Sequence, residues 1–273
     1  MKIKNIRLIL DKLNNIGLYP ALGVEVEFYI LTQVDESFIK EIEDKTGLKL
    51  QKEKGYRQYE FATNIFRDIF SLITYVEMIK QKIKDICKKK LVEVSFDPKP
   101  FIDDYGSAMH IHISLYNEKH FNIFNSGAKV EDNAILLHSI GGILQLLRDA
   151  LYMCINDKQS EYDRLISNMM CPQTISWGKN NRTTAIRIPD SPPFNRNRRI
   201  EFRVPSASSS LYKCIVFILT SVFYGIVKEI HPDQCVYGDA NNLLNNLETF
   251  AIDHKSHDNI FNFWKMFKEI TSK

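Results

Sequence analysis

The chain has 273 residues, of which 44% are hydrophobic and 25% charged, as is ordinary for a globular protein. Its 36 basic and 33 acidic residues give a formal charge of +3, so bulk attraction to nucleic acid or to an anionic membrane is not expected. The five cysteines form no C-x-x-C pair, which argues against that type of zinc or redox site and predicts reduced thiols in a cytoplasmic protein.

The first predicted element is an amphipathic helix, Ile3 to Leu13, because its apolar residues recur at helical spacing. A strand is predicted at Val24 to Ile30, where apolar and polar residues alternate. This alternation places Glu25 and Glu27 together on the polar face of the strand. A second amphipathic helix is predicted from Phe66 to Cys87.

The same alternation recurs in the middle of the chain. Met109 to Leu115 is predicted to be a strand whose polar face carries His110, His112 and Ser114. The segment from Ala134 to Ile155 then predicts a long buried helix.

A third alternating segment runs from Arg199 to Val204 and places Glu201 between Arg199 and Arg203 on its polar face. A buried helix is predicted next, from Cys214 to Ile230. Its apolar run is shorter than the ~18 residues that are needed to cross a bilayer, so no membrane span is predicted.

The last predicted element is a C-terminal helical region, at about residues 241–271. Its expected anchors are apolar and aromatic side chains: Leu243, Leu244, Leu247, Phe250, Phe261, Trp264 and Phe267. Because no repeat or flexible linker divides the chain, residues 1–273 are predicted to form a single domain.

The three alternating strands carry an unusual set of polar residues. Each strand alone could be the half-exposed strand of an ordinary sheet. However, such faces usually mix lysine, threonine, glutamate and serine, whereas these read Glu-x-Glu, His-x-His-x-Ser and Arg-x-Glu-x-Arg. We therefore predict a shared concave polar interior. Carboxylates with a histidine suit Mg²⁺ or Mn²⁺, and interleaved arginines suit phosphate, which together predict metal-assisted phosphoryl chemistry on a nucleotide.

Four segments, in the same order, resemble motifs of the glutamine synthetase catalytic domain. They are Gly23-Val24-Glu25-Val26-Glu27-Phe28, Pro98-Lys99-Pro100 with Gly106 to Leu115, Asn181 to Pro189, and Arg198-Arg199-Ile200-Glu201-Phe202-Arg203. The resemblance runs from about residue 22 to residue 226. It implies an α+β fold in which helices pack on a curved, mainly antiparallel sheet with a polar inner face.

The resemblance also implies roles for individual residues. The residues implied to bind metal are Glu25, His110 and Glu201, for the ion that bridges the ATP phosphates, and Glu27 and Glu60, for a second ion near the substrate carboxylate. Those implied to bind ATP are His112, Ser114, Arg182, Arg187 and Arg199, and those implied to bind the amino acid are Gly106, Arg164 and Arg203. The implied catalytic arginines are Arg182, Arg199 and Arg164. The implied cofactor is Mg²⁺ or Mn²⁺, with ATP as co-substrate.

Some positions depart from the family pattern. The family has a third glutamate of the second metal site eight residues before Glu60, where this chain has Lys52, and Glu53 is one residue away. Because a slip of one residue turns a side chain to the other face of a strand, we expect either a local bulge or a weakened site. Met170 stands where the family has a flap glutamate that helps to take a proton from ammonium, which a thioether cannot accept. Tyr105 replaces an asparagine in the amino-acid pocket.

The small N-terminal β domain of the family is also expected to be missing, since the Glu-x-Glu strand lies near the N-terminus. In family rings that domain completes the active site of a neighbouring subunit, so the predicted assembly is a homo-oligomer or a complex with a homologous chain. The remaining histidines are expected to be surface or satisfied interior residues: His120, His138, His231, His254 and His257.

The leading prediction is an ATP- and metal-dependent ligase that phosphorylates the side-chain carboxylate of glutamate and then joins it to ammonia or to another amine. One alternative is a catalytically silent nucleotide-binding relative that partners or regulates a complete homologue. Another is a domain whose polar strand faces are vestigial. The predicted partners are ATP, glutamate or a similar amino acid, and an amine, with no nucleic acid and no membrane.

Overall fold

The computed structural model describes residues 2–156, 158–167, 170–190, 197–250 and 259–272. Its helices are α1 (Lys2–Asn15), α2 (Glu36–Thr46), α3 (Ile69–Lys89), α4 (Ala134–Ala150), α5 (Gln159–Ile166), α6 (Leu211–Val227) and α7 (Asn259–Thr271). Its strands are β1 (Tyr19–Ile30), β2 (Leu50–Lys52), β3 (Gln58–Ala62), β4 (Val94–Ser95), β5 (Met109–Tyr116), β6 (Trp177–Lys179), β7 (Ile186–Ile188) and β8 (Ile200–Phe202).

The strands form one sheet in the order β2-β3-β1-β5-β8-β7-β6, and β4 pairs with β1 outside this path. All of these pairings are antiparallel except that of β6 with β7. The predicted α+β fold with a mainly antiparallel sheet is therefore confirmed. The long strand β1 pairs with β3, β4 and β5, so it lies at the centre of the architecture.

One face of the sheet is apolar and packs against helices. The alternate residues that were predicted to be apolar are buried: Val24, Val26, Phe28, Ile30, Met109, Ile111, Ile113, Leu115, Ile200, Phe202 and Val204. β1 contacts α1 and α3, and the ring of Phe202 stacks on that of Phe217 in α6, with centroids 5.7 Å apart. Burial of each large apolar side chain stabilises the fold by ~1.5–3 kcal/mol and so fixes which face of the sheet packs on the helices. The intervening polar residues therefore point to the opposite face.

α4 and α6 cross at close distance because each has a glycine at the contact. A Cβ atom on Gly142 would lie 2.1 Å from the carbonyl oxygen of Ser221, and one on Gly225 would lie 2.1 Å from that of His138. By length and composition, Ala134–Met153 is apolar enough to cross a membrane, but 61% of that window is buried inside the protein. A buried core helix also meets these criteria of length and composition, and this segment packs as a core helix.

The predicted helix at residues 3–13 is confirmed as α1, and the one at residues 66–87 is confirmed as α3, except that α3 begins at Ile69 because Asp68 caps its first turn. The predicted helix from Ala134 to Ile155 ends at Ala150 and continues as the 3₁₀ turn Leu151–Met153. The helix that was predicted from Cys214 to Ile230 instead begins at Leu211, where the side chain of Ser210 caps its first turn, and ends at Val227.

The predicted C-terminal helical region is wrong in its first part. Residues 241–250 contain only the 3₁₀ turn Leu243–Asn245, which ends because Asn246 takes a left-handed backbone with φ of 46°. Of the expected anchors, Leu243, Leu244 and Phe261 are exposed, whereas Phe250 and Phe267 are buried. α7 supplies the helical part of the region, and residues 251–258 lie outside the described residues.

Candidate active site

The pairing register of the central strands brings the predicted metal ligands together. Glu27 of β1 lies opposite Glu60 of β3, and Glu25 of β1 lies opposite His110 of β5. Glu201 of β8 joins the same face because β8 pairs with β5. Directly paired residues share one face of a sheet, so the three alternating strands present one polar face, as predicted.

These side chains line a cavity of about 290 Å³. The predicted site residues that line it are Glu25, Glu27, Glu53, Glu60, Gly106, His110, Arg164, Arg182, Arg187, Arg199, Glu201 and Arg203. The described lining does not include His112 or Ser114, which are buried next to it. Nδ1 of His112 accepts a hydrogen bond from Nε of Arg199 at 3.0 Å, and Ser114 Oγ donates to the carbonyl oxygen of Arg198 at 3.3 Å. His112 thus positions an arginine of the polar face, whereas Ser114 contacts only the backbone of Arg198.

Glu25, His110 and Glu201 form the first cluster. Nδ1 of His110 lies 3.5 Å from Oε2 of Glu25 and 3.9 Å from Oε1 of Glu201. One ligand atom from each of the three residues lies within 4.8 Å of the other two. Two carboxylates and an imidazole are a donor set suited to Mn²⁺ or Mg²⁺.

The carboxylates of the first cluster are ionised at neutral pH. Burial tends to raise the pKa of Glu201, but electrostatic attraction to His110, Arg203 and other nearby basic side chains outweighs it and lowers the pKa to about 2. Burial also tends to raise the pKa of Glu25, but hydrogen bonds with His110 and His112 outweigh this effect and hold the pKa below its ordinary value. Ligands of a metal must be deprotonated, and both groups meet that condition.

Glu27, Glu60 and His110 form the second cluster, and their ligand atoms also lie within 4.8 Å of one another. Burial, followed by the negative charges of Glu25 and Glu27, raises the pKa of Glu60 to about 9. Without a cation, Glu60 therefore holds a proton at neutral pH. A divalent cation would neutralise the repulsion between these buried carboxylates and replace that proton, so the residues fit a metal.

Glu53, rather than Lys52, lines the cavity that holds the second cluster. Gln51 lies opposite Glu60, and the backbone N–H of Glu53 donates to the carbonyl oxygen of Gln58 at 2.9 Å. Since Glu53 is two residues after Gln51, it shares the polar face and lines the cavity, while Lys52 falls on the other face and is exposed. No bulge is needed to turn Glu53 towards the cavity, because the turn between β2 and β3 sets the pairing register of this hairpin.

Positive charge occupies the side of the cavity that β7 and β8 form. Nη1 of Arg187 lies 2.9 Å from Oε2 of Glu201, and Arg203 contacts the other oxygen of the same carboxylate. Arg164 is buried and donates to the carbonyl oxygen of Val204 at 2.8 Å. Arginines grouped in one cavity can bind the oxygens of a phosphate group through several N–H donors.

Gly106 lies where a larger residue would not fit. A Cβ atom there would lie 2.7 Å from Cγ of Arg164 and 2.8 Å from the carbonyl oxygen of Pro98. Tyr105 lines the cavity next to Gly106. The glycine thus allows the loop to approach an arginine that is predicted to bind the amino acid.

Several lining residues were not selected from the sequence: Gln51, Lys54, Gln58, Ala108, Cys171 and Pro172. Gln58 could have been found, because it precedes Glu60 by two residues in a strand and therefore shares its face. Met170 also lines the cavity, with a left-handed φ of 60°. Its neighbour Met169 lies outside the described residues.

The histidines that were not assigned to the site lie elsewhere in the described structure. Nε2 of His138 lies 3.4 Å from Nε2 of His231, and Nδ1 of His120 lies 2.6 Å from Nη1 of Arg67. None of the three lines the cavity. His254 and His257 are outside the described residues.

Comparison with known proteins agrees with this geometry. A family model described as "Glutamine synthetase, catalytic domain" matches residues 48–254. The chain is 30% identical over 257 residues to a glutamine synthetase of Thermococcus kodakarensis, with 84% of this chain and 56% of the relative covered. It is 25% identical over 267 residues to the gamma-glutamylputrescine synthetase PuuA of Escherichia coli, with the same two coverages. The chain thus spans about 56% of the length of these relatives.

A solved structure described as "GmaS/ADP complex-Conformation 1" has the same fold, with a TM-score of 0.83. The superposition covers 98% of this chain and 69% of that one, at 20% sequence identity. The apo form of GmaS gives a TM-score of 0.82.

Proposed function

This chain belongs to the glutamine synthetase family, and from that premise we propose that it is an ATP- and Mg²⁺- or Mn²⁺-dependent carboxylate–amine ligase. One observation carries the proposal. Two clusters of carboxylate and imidazole ligands, which share His110, line one cavity together with five arginines. That arrangement fits a reaction in which negative charge moves between a nucleotide phosphate and a carboxylate.

The proposed reaction has two steps. The γ-phosphoryl group of ATP passes to the side-chain carboxylate of glutamate, which gives an acyl phosphate and ADP. An amine then attacks the acyl carbon, loses a proton and displaces inorganic phosphate, which leaves an amide. Bound divalent ions supply neutralisation of the phosphate charge. Arg187, Arg199 and Arg182 hold the phosphate oxygens, while Arg164 and Arg203 orient the amino acid beside Gly106.

We propose that the chain forms a single domain and acts on small molecules in the cytoplasm. It assembles as a homo-oligomer or with a homologous chain. Its substrates are ATP, glutamate or a similar amino acid, and an amine. The amine is expected to approach beside Met170, Cys171 and Pro172, which line the cavity one after another. This apolar stretch favours an amine with an alkyl substituent over ammonium.

Calorimetry and a turnover assay test the proposal in sequence. A non-hydrolysable ATP analogue should bind only when Mg²⁺ or Mn²⁺ is present, because the phosphates are held through the ions. Phosphate release should then require both glutamate and an amine. Absence of metal-dependent nucleotide binding would exclude the ligase and would support vestigial polar faces.

A catalytically silent nucleotide-binding relative is the second candidate, and Met170 is the observation that favours it. The thioether in the cavity wall cannot accept a proton from an incoming amine. The two candidates separate in the assays above. The silent relative binds the ATP analogue with metal and releases no phosphate with glutamate and any amine in a panel that runs from ammonium to diamines.

Replacing Met170 with glutamate is expected to raise ammonium-dependent phosphate release by about tenfold or more, because general-base assistance of this kind contributes ~10²–10⁴-fold when fully positioned. Phosphate release at fixed ATP, glutamate and Mg²⁺ is the measurement. Met78→Glu is the matched control, since Met78 lies on α3, is exposed and does not line the cavity. Equal rates for the natural chain and Met170→Glu would contradict the assignment of this position to proton removal.

A further inference from the structure

Gln58 is only 2% exposed, and hydrogen bonds hold both ends of its side-chain amide. Nε2 donates to Oε2 of Glu27 at 3.2 Å and to the carbonyl oxygen of Gly106 at 2.9 Å. Oε1 accepts from the backbone N–H of Gly55 at 3.0 Å. Because the nitrogen meets two acceptors and the oxygen meets a donor, the partners determine one orientation of the amide.

These contacts determine how Glu27 points. Its Oε2 accepts a second hydrogen bond, from the backbone N–H of Ala108 at 2.8 Å. With Oε2 held by Gln58 and by Ala108, the carboxylate cannot rotate freely. Oε1 of Glu27 is then the oxygen that remains for a metal ion in the second cluster.

The same amide fastens the loop that carries Gly106. Among the other bonds that join this loop to the rest of the described site, the backbone N–H of Tyr56 donates to Oδ2 of Asp104 at 2.8 Å, and the hydroxyl of Tyr29 donates to the carbonyl oxygen of Tyr105 at 2.7 Å. The Gln58 side chain contacts both the loop, at Gly106, and a metal-cluster carboxylate, that of Glu27. A change at Gln58 should therefore reach the metal and the amino acid together.

We propose that Gln58 is a positioning residue that aims Glu27 at the second metal ion and holds the Gly106 loop against it. The inference rests on the proposed function, since it assumes a metal in the second cluster and an amino acid beside Gly106. Groups that orient a metal ligand typically change metal affinity or activity 10–100-fold when they are removed.

Gln58→Met tests the proposal, because it keeps the length of the side chain and removes its three hydrogen bonds. Titration of the full chain with Mn²⁺ should show one class of sites weakened roughly tenfold, with the other class unchanged. Binding of L-glutamate in the presence of Mn²⁺ and the ATP analogue should weaken by a similar factor. Binding of the ATP analogue itself should remain within about twofold, whereas general damage to the fold would weaken every ligand.

Gln145→Met is the matched control. Gln145 is exposed on α4 and is not among the described residues that line the cavity. Its substitution should leave both Mn²⁺ classes and glutamate binding unchanged. If Gln58→Met does not fold, Gln58→Glu keeps an acceptor for Gly55 and removes the donor to Gly106, so glutamate binding should still weaken roughly tenfold.

Two results would overturn the inference, and they differ. If the natural chain binds two Mn²⁺ ions and both Gln58 variants that fold match it in Mn²⁺ and glutamate affinity, only the role of Gln58 fails. If the natural chain shows no second class of Mn²⁺ site, the proposed metal chemistry fails together with the inference.

Discussion

Replacing Glu201 with glutamine is expected to lower the free energy of unfolding of the metal-free chain by about 3 kcal/mol. The carboxylate is 1% exposed and lies between Arg187 and Arg203, so its removal leaves two largely buried guanidinium groups without their counter-ion. Urea denaturation at neutral pH is the measurement. The same change removes a ligand of the first cluster, and metal-dependent binding of the ATP analogue should weaken by at least about 100-fold.

The effect of Glu201→Gln should depend on pH in a defined direction. The folded pKa of Glu201 is about 2, below its ordinary value of 4.5. A carboxylate with a lowered folded pKa stabilises the protein fully above its unfolded pKa, and that stability is lost as the pH falls through the folded value. The difference in unfolding free energy between the natural chain and the variant should therefore be largest above about pH 5 and shrink as the pH falls toward 2.

Glu131→Gln provides the matched control for this prediction. Glu131 also contacts a basic residue, Lys179, at 2.6 Å, but its side chain is 45% exposed. Exposed ion pairs contribute ~0–1 kcal/mol, so this substitution should have little effect on unfolding. If the free energy of unfolding of Glu201→Gln lies within about 0.5 kcal/mol of that of the natural chain, the two arginines do not need Glu201 as their counter-ion.

The parts of the fold that could be predicted are those with long periodic patterns. β1 and β5 each contain seven alternating residues, and every apolar position of the alternation is buried, so the pattern and the packing agree. β6 and β7 have three residues each, too few for an alternation to be seen. α2 was also missed, because it buries only Phe38 and Ile42, although Asp35 and Gly47 flank it as capping residues.

The C-terminal error has a different cause. Leu243 and Leu244 are apolar and fall in an apolar spacing, but spacing predicts burial only where a partner surface exists. In the structure they lie in a short turn that begins at Asn242, whose side chain accepts from the N–H of Leu244. Local capping therefore decided the conformation of this segment, and both leucines project into solvent.

The shared face of Glu25, Glu27, His110 and Glu201 could be predicted because each lies on an alternating strand, whereas Glu60 was implied only by the family resemblance and the position of Glu53 could not be predicted. Glu53 lies at a turn, where the register depends on the hydrogen bonds between β2 and β3. Glu53 is important because of the position of His110. His110 belongs to both clusters, and its Nδ1 can form only one bond to a metal. If two ions are bound together and His110 serves the first, the second cluster requires another ligand, and Glu53 lines the cavity on that side. Burial, followed by the charge of Glu27, raises the pKa of Glu53, as expected for carboxylates that share a site.

Glu53→Gln is therefore expected to weaken one class of Mn²⁺ site by roughly 100-fold, about 2.7 kcal/mol, and to leave the other class intact. His110→Ala should have the complementary effect and weaken the class that binds with the ATP analogue. Lys52→Gln is the control, because Lys52 is the adjacent residue, is exposed and points away from the cavity. Mn²⁺ titration of the three variants decides whether Glu53 supplies the third ligand of the second cluster. If Glu53→Gln retains both classes, Glu53 is not the third ligand of the second cluster.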